Sequence, residues 1–398
     1  MSTIYDPRYI RLIEHLIALR KQARMTQEAL AAALGLDQST VSKVEGFDRR
    51  LDLIELHDWL SAIGADHAKF LRDVDWMTPV IDTSLPAVPV PGKARSYREG
   101  LVDGTMIEMA WQGHKREVFI ARLPVEGYLS MERDISALFG KLNASDGGKN
   151  RDAIHAALTL AIDRFPDVNP SDLYHHVVYR LYLRDYQKTQ ADRSWVRAGG
   201  EAFELFLQEH YNRVLEPDGI SVVWLKNDAS KENALREMGI RDEVGKSKLD
   251  LALYGVVDGK PKIFGGLHAK ASLAERVSDD VPCSEAMMRR GFGSYLITLD
   301  AKSFPPPIGD LVNRGELGTP DSPSDKRKYI ENHGSFTACF SYNLRTSGSS
   351  SKTGSGRLIH SSTFDPTTDP LPAILRAAWN ACRKAQNRKR QRTARSPT

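Results

Sequence analysis

Apolar residues recur at helical spacing almost from the first residue. In YIRLIEHLIALRKQ, 9–22, Ile10, Ile13, Leu16, Ile17 and Leu19 fall close to one side of a helix. Thr26 stands where an N-cap belongs before QEALAAALG, and Gly35 where that helix stops. After a turn of three or four residues, Asp37 precedes QSTVSKVEG in the same way. LDLIELHDWLSAIG repeats the amphipathic pattern, so residues 9–64 predict a compact helical unit. The pattern breaks over 77–100, MTPVIDTSLPAVPVPGKARSYREG, where four prolines and no helical period predict a linker.

Beyond the linker the rhythm is mixed. MIEMAWQGHKREVFIARL predicts a hairpin turning near Gly113, and 128–190 reads as helices, among them DLYHHVVYRLYLRDYQ. From 194 helices and strands alternate. SWVRAGGEAFELFLQEHYNRVL is amphipathic, ISVVWL is strand-like, and SKENALREMG is helical. KLDLALYGVV and KPKIFGGLHAK are apolar strands joined by Asp258-Gly259, a two-residue hairpin turn. A helix capped by Asp280, with Pro282 near its first turn, leads to the strand SYLITLD. GSFTACFSYN adds a strand, SGSSSKTGSG a flexible loop, and LPAILRAAWNACRKAQ a closing helix. The fold class is therefore α/β: an all-α N-terminal domain, then an α/β core with a mixed sheet flanked by helices. The expected divisions are 1–76, a linker over 77–100, a mainly helical region over 101–190, and an α/β domain over 191–398.

Composition narrows the classes. At 398 residues and 41% hydrophobic content the chain can bury a sizeable multidomain core. No stretch approaches the roughly 20 apolar residues needed to cross a bilayer, and MSTIYDPRYIRLIEH lacks the order of a signal peptide, so a cytoplasmic, prokaryotic protein is expected, with no membrane partner. Cys283, Cys339 and Cys382 form no metal-binding spacing and read as packing residues. His175 and His176 lie among apolar and aromatic residues and read the same way, with no partner at ligand spacing. The net charge of +4 says little, but RKAQNRKRQRTAR, 383–395, carries seven Lys/Arg and no acid, as either a phosphate contact or a solvated tail would. There is no P-loop, no Gly-rich nucleotide turn, no GxSxG and no HExxH, so ATP-driven, NAD-dependent, esterase and zinc-peptidase chemistry have no support.

The N-terminal unit resembles the lambda-repressor-type helix-turn-helix family at Gln27, Gln38, Ser39, Ser42 and Glu45-Gly46. That resemblance implies a recognition helix in the major groove, with Gln38, Ser39, Ser42 and Lys43 toward base edges. A glutamine amide can face adenine bidentately, while Gln27 and Arg49 or Arg50 suit phosphates. The other reading is a helical unit for protein contacts.

The second candidate site lies in KLDLALYGVVDGKPKIFGGLHAK. Hydrolysing a phosphodiester calls for a divalent cation on oxygen ligands and positive charge beside the phosphate. The Asp258-Gly259 hairpin can bring Asp250 to Lys270. Residues 197–300 resemble the PD-(D/E)XK nuclease superfamily: Glu204 on the first helix, Asp250 on the first hairpin strand, His268-x-Lys270 on the second. His268 stands where that family has an acid, and histidine is a poor ligand for Mg²⁺.

The type II restriction endonucleases of the CCGG/CCNGG-cutting, BsaWI-like group take this carboxylate from the following helix, and HAKASLAERVSDDVPCSEAMMRRG is similar to their pattern. The resemblance implies Asp250 and Glu285 as Mg²⁺ ligands, Lys270 as the residue that orients water or stabilises charge on phosphate, and Glu204 as an auxiliary acid. Asp279 and Asp280 compete with Glu285 for the metal, although Asp280 suits an N-cap. Glu275 accepting from cytosine N4 and Arg276 donating to guanine O6/N7 would read a CCGG-like core. Ala274 stands where the group often has arginine; Arg289 or Arg290 is the substitute within reach in sequence.

The function these features imply is a Mg²⁺-dependent type II endonuclease cutting double-stranded DNA at a palindrome. Two cuts call for two active sites, hence a homodimer. A cognate DNA methyltransferase is expected in the same system. The alternative is a non-catalytic regulator with a C-terminal sensing or dimerisation domain. The helix-turn-helix would bind a second DNA copy, extend the site read, or repress the enzyme's own gene.

Overall fold

The computed structural model describes residues 7–73, 87–111, 114–144, 150–186, 191–244, 249–273, 277–303, 310–350 and 352–394. The chain divides into two compact units, residues 1–86 with 111–114 and residues 87–110 with 115–398. In the first, α1 (Pro7–Gln22), α2 (Gln27–Leu34), α3 (Gln38–Glu45), α4 (Leu53–Ile63) and α5 (His67–Asp73) follow in order. Local chemistry sets their limits. Thr26 accepts the Ala29 N–H, Gly35 and Gly64 take the left-handed conformation, and Asp52 with Glu55 forms a capping box. Asp37 holds the cap position of α3 without a side-chain hydrogen bond. Leu16, Leu30, Val41, Val44, Trp59 and Leu60 close the core between the helices.

The second unit opens with β1 (Val88–Glu99), β2 (Val102–Trp111) and β3 (His114–Ala121), a three-stranded sheet in that order. The linker expected over 77–100 therefore needs correction: from Val88 it is a strand. Pro89 sits at the edge of a register irregularity before Ala94, where a missing N–H interrupts no regular ladder. The expected hairpin is β2 and β3, its turn at 112–113 lying outside the described residues.

Four helical segments follow: α6 (Val125–Gly140), α7 (Asn150–Arg164), α8 (Pro170–Asp172) and, after a π-helical turn over Leu173–Val178, α9 (Tyr179–Asp185). Because α7 packs along α10 (Ala191–Leu215), residues 115–190 belong to the same compact unit as the core, and no boundary falls at 190.

The core is a six-stranded mixed sheet. β4 (Ile220–Trp224), β5 (Leu251–Val257) and β6 (Lys260–Lys270) pair antiparallel; β7 (Gly293–Thr298), β8 (Ala338–Ser341) and β9 (Ile359–Ser361) continue parallel from β6. Helices α11 (Asp228–Met238), α12 (Val277–Arg289), α13 (Asp325–Glu331) and α14 (Pro370–Ala394) complete the unit. Asp258 and Gly259 have φ of 51° and 73°, the pair of positive values a two-residue type I′ turn needs. That turn sets the register at its own end, Val257 opposite Lys260, and an irregularity between Leu253 and Tyr254 then shifts it by one residue, so that Leu251 lies opposite Leu267. On β6, a Cβ at Gly265 would lie 2.5 Å from the Gly293 carbonyl oxygen, so only glycine lets β7 approach the strand that carries Lys270.

Asp280 is the fourth residue of α12 rather than its cap, because the helix starts at Val277. The closing helix is also longer than expected, since α14 continues through the basic segment to Ala394. Among the described residues no helix is long and apolar enough to cross a membrane.

Candidate active site

The β5–β6 hairpin places Asp250 and Lys270 together. Asp250 immediately precedes β5; its N–H donates to Leu267 O at 3.2 Å and its carbonyl accepts from Leu225 N at 2.9 Å. This backbone pairing fixes the carboxylate. Asp250 Oδ2 accepts the Ala269 N–H at 2.8 Å and the Lys270 Nζ at 2.9 Å. A second cation, Lys231 from α11, stands 3.7 Å from Asp250 Oδ1.

The other side of Lys270 is held by α12. Asp280, 0% exposed, brings Oδ2 to 3.2 Å from Nζ, so one ammonium lies between two carboxylates. Burial alone would lower the lysine's pKa; Asp250 and Asp280 outweigh it and hold the group charged well above its ordinary range. Lys270 therefore keeps its proton.

His268 shares the strand face of Lys270, being two residues away. It is fully buried, with Nδ1 3.9 Å from Asp280 Oδ1 and Nε2 3.1 Å from Ser294 Oγ. The serines decide its tautomer. Ser284 Oγ donates its single proton to the Ser335 carbonyl at 2.6 Å, so it accepts from Ser294 Oγ, also at 2.6 Å. Ser294 has then used its proton and accepts from His268, which places a hydrogen on Nε2 and turns Nδ1 toward Asp280.

Glu204 on α10 lines the same cleft, its Oε2 accepting Trp224 Nε1–H at 2.6 Å. Burial first, then the neighbouring Asp250 charge, pushes its pKa up to about 7, against the pull of Trp224, Lys231 and Lys270. The cleft has a volume of about 620 Å³ and is also walled by Tyr174, His175, Tyr179, Trp195 and Asp279. His175 bonds Ser303 Oγ at 2.9 Å, and the Arg180 guanidinium donates to His176 at 3.3 Å, so both histidines are used in packing.

The expectation for Glu285 does not match this geometry. It is absent from the cleft lining, and its Oε1 accepts from Ser335 Oγ at 3.2 Å. Five residues past Asp280, it lies about 140° further round the helix and about 7.5 Å along it. Asp280 occupies the place beside Lys270 instead. Sequence reasoning set Asp280 aside as a cap, yet a signal was present: Val277, Asp280, Ser284 and Met287 form the buried stripe of α12, and an acid on that stripe requires a partner. Lys231 went unnoticed. Glu275 and Arg276 lie outside the described residues. Arg289 and Arg290 both pair with Glu243.

The donor set suits a hard cation. Asp250 and Asp280 supply carboxylate oxygen and no soft ligand intrudes, as Mg²⁺ prefers. Among the described residues no cluster of three His, Cys, Asp or Glu side chains forms a complete cage. Two carboxylates are the part of a donor set that a hard divalent cation would complete with water and phosphate oxygens.

In the N-terminal unit, Arg20, 7% exposed, pairs bidentately with Glu45 at 2.6 and 2.7 Å. Gln27 Nε2 donates to Glu45 Oε2 and Gln38 Nε2 donates to Gln27 Oε1, both at 2.8 Å. A carboxylate only accepts, so both amide orientations follow from Glu45, and Gln38 keeps Oε1 and one N–H for another partner. Gln38, Ser39, Ser42 and Lys43 are exposed; Gln27 is half-buried.

Comparison with known proteins places these sites in context. The family described as "BsaWI restriction endonuclease type 2" matches residues 224–365, and a helix-turn-helix family matches 16–63. "Type II restriction enzyme AgeI" of Thalassovita gelatinovora is 54% identical over 237 residues, 57% of this chain and 85% of that protein. The crystal structure of the specific restriction endonuclease AgeI–DNA complex superposes with a TM-score of 0.63 at 46% identity, over 72% of this chain and 99% of that one.

Proposed function

The chain belongs to the BsaWI family of type II restriction endonucleases, and from that premise we propose that Asp250, Asp280 and Lys270 are the catalytic centre of this site-specific deoxyribonuclease. One observation carries the reading: the Lys270 ammonium, at the end of β6, is held at 2.9 and 3.2 Å by two carboxylates that reach it from different elements.

Asp250 and Asp280 would hold Mg²⁺, which supplies positive charge against the phosphate and makes a nearby water more acidic. The chain's own groups do the rest. Lys270, fixed in its charged form, neutralises charge that builds on the non-bridging phosphate oxygens. Glu204, poised near neutrality, can hold or release a proton at its carboxyl. Overall a P–O bond breaks, water delivers hydroxide to phosphorus, and its proton goes to the leaving alkoxide. Lys231 and Lys270 balance the carboxylates until the cation arrives.

For sequence reading, Glu275 and Arg276 remain assigned to the C·G pairs of a CCGG-like core. A palindromic site calls for a homodimer, and the host calls for a cognate DNA methyltransferase. Gln38, Ser39, Ser42 and Lys43 serve as base-edge contacts of the helix-turn-helix, and Gln27 orients Gln38. The test is digestion of plasmid and phage DNA with Mg²⁺. Discrete fragments that vanish in Lys270→Ala and Asp250→Ala support the assignment; intact DNA with the wild type, or fragments that persist in both variants, removes it.

A further inference from the structure

Helix α14 changes character at Trp379. Before it, Leu371, Leu375 and Trp379 are buried, and the indole sits so close to β5 that a Cβ at Gly255 would meet it at 2.3 Å. After it no large apolar residue appears. Arg383, Lys384 and Arg388 are exposed, and Lys389, Arg390 and Arg392 continue the same helix. The whole helix contains no acid. Lys384 and Arg388 are four residues apart on the helix, a spacing at which like charges repel by a few tenths of a kcal/mol. Nothing within the helix compensates.

The rest of the chain carries the opposite balance. The seven Lys/Arg of 383–395 exceed the chain's net charge of +4, so the remainder is net acidic. An enzyme whose substrate is a polyanion thus concentrates its positive excess on one helix, which repels itself until a polyanion covers it. We infer that the C-terminal half of α14 is a sequence-independent contact to DNA phosphates outside the cleavage site. It holds the enzyme on non-target DNA and raises its rate of finding a site in long DNA. The inference rests on the chain being a DNA-cleaving enzyme and is independent of which residues cleave.

The test replaces Arg383, Lys384, Arg388, Lys389, Arg390 and Arg392 together by Gln, which keeps helix propensity. Non-specific duplex affinity is measured without divalent cations between about 50 and 200 mM salt. The slope of log K against log salt becomes shallower by about 0.9 for each phosphate that the variant no longer neutralises, roughly 3 to 5 in all. The ratio of cleavage rates for one site in kilobase DNA and in a short duplex falls about tenfold, a size expected when electrostatic steering is removed. An unchanged slope with an unchanged ratio overturns the inference. So does capture of the wild type, but not the variant, by phosphatidylserine vesicles when the DNA slope is the same for both. Cutting of the short duplex reports separately on the catalytic centre, so failure there is distinguishable.

Discussion

Replacing Asp280 by Asn separates the two candidate carboxylates of α12. The change keeps the shape of a fully buried side chain and deletes one of the two charges that face Lys270. Removing one partner of a buried pair costs about 3–5 kcal/mol when it strands the other charge. Here Lys270 keeps Asp250 at 2.9 Å, so the loss of stability stays below that range and the fold survives. The effect on cleavage is larger. The cation site loses one of two anionic ligands, and charge stabilisation at a phosphoryl oxygen is worth several kcal/mol. At 1.36 kcal/mol per decade, about 4 kcal/mol is a thousandfold loss of rate. Glu285→Gln, by contrast, alters a group that accepts from Ser335, a hydrogen bond worth about 0.5–1.5 kcal/mol, and leaves cleavage close to wild type. The assay is single-turnover cleavage of a supercoiled plasmid in Mg²⁺, with DNA binding measured in parallel in metal-free buffer. A dead Glu285→Gln beside an active Asp280→Asn refutes the reasoning.

Three further outcomes follow from the same geometry. A Glu204 carboxyl raised from 4.5 to about 7 binds more protons folded than unfolded, so its contribution to stability falls as pH rises through that interval. Glu204→Gln should then gain up to about 3 kcal/mol over wild type at pH 8 and nothing at pH 4, by thermal melting in metal-free buffer. His268→Leu leaves the buried Ser294 hydroxyl without its imidazole partner and should destabilise by about 1–3 kcal/mol, read as a lowered Tm; an unchanged Tm contradicts that hydrogen-bond chain. Gly265→Ala drives a Cβ to 2.5 Å from the Gly293 carbonyl and should destabilise by about 1–3 kcal/mol, read as a lowered Tm.

The sequence made the helix-turn-helix unit and the β5–β6 hairpin legible because each is encoded locally: Thr26, Gly35 and Gly64 mark helix ends, and Asp258-Gly259 dictates its turn. Asp250 and Lys270 came out together because that turn folds one strand back on the other, while the one-residue register shift between Leu253 and Tyr254 leaves no mark in the pattern, and Glu204 reaches the cleft from α10. What failed depends on non-local packing. The start of α12 at Val277 places Asp280 beside Lys270, and the five residues from there to Glu285 turn that side chain about 140° away. The strand at Val88 was hidden by prolines, and β9, three residues long, carries too little pattern to be seen without its partner β8. Lys231 belongs to an ordinary polar helix, and only the fold of α11 over β5 brings it to Asp250.

The central claim concerns where a cation sits, and a crystal structure of the DNA complex grown with Mn²⁺ tests it most directly through anomalous scattering. The account predicts a peak between the carboxylates of Asp250 and Asp280, with Lys270 Nζ turned from them toward a phosphate oxygen. A peak at Glu285, or none within ligand distance of Asp280 when DNA occupies the cleft, contradicts it.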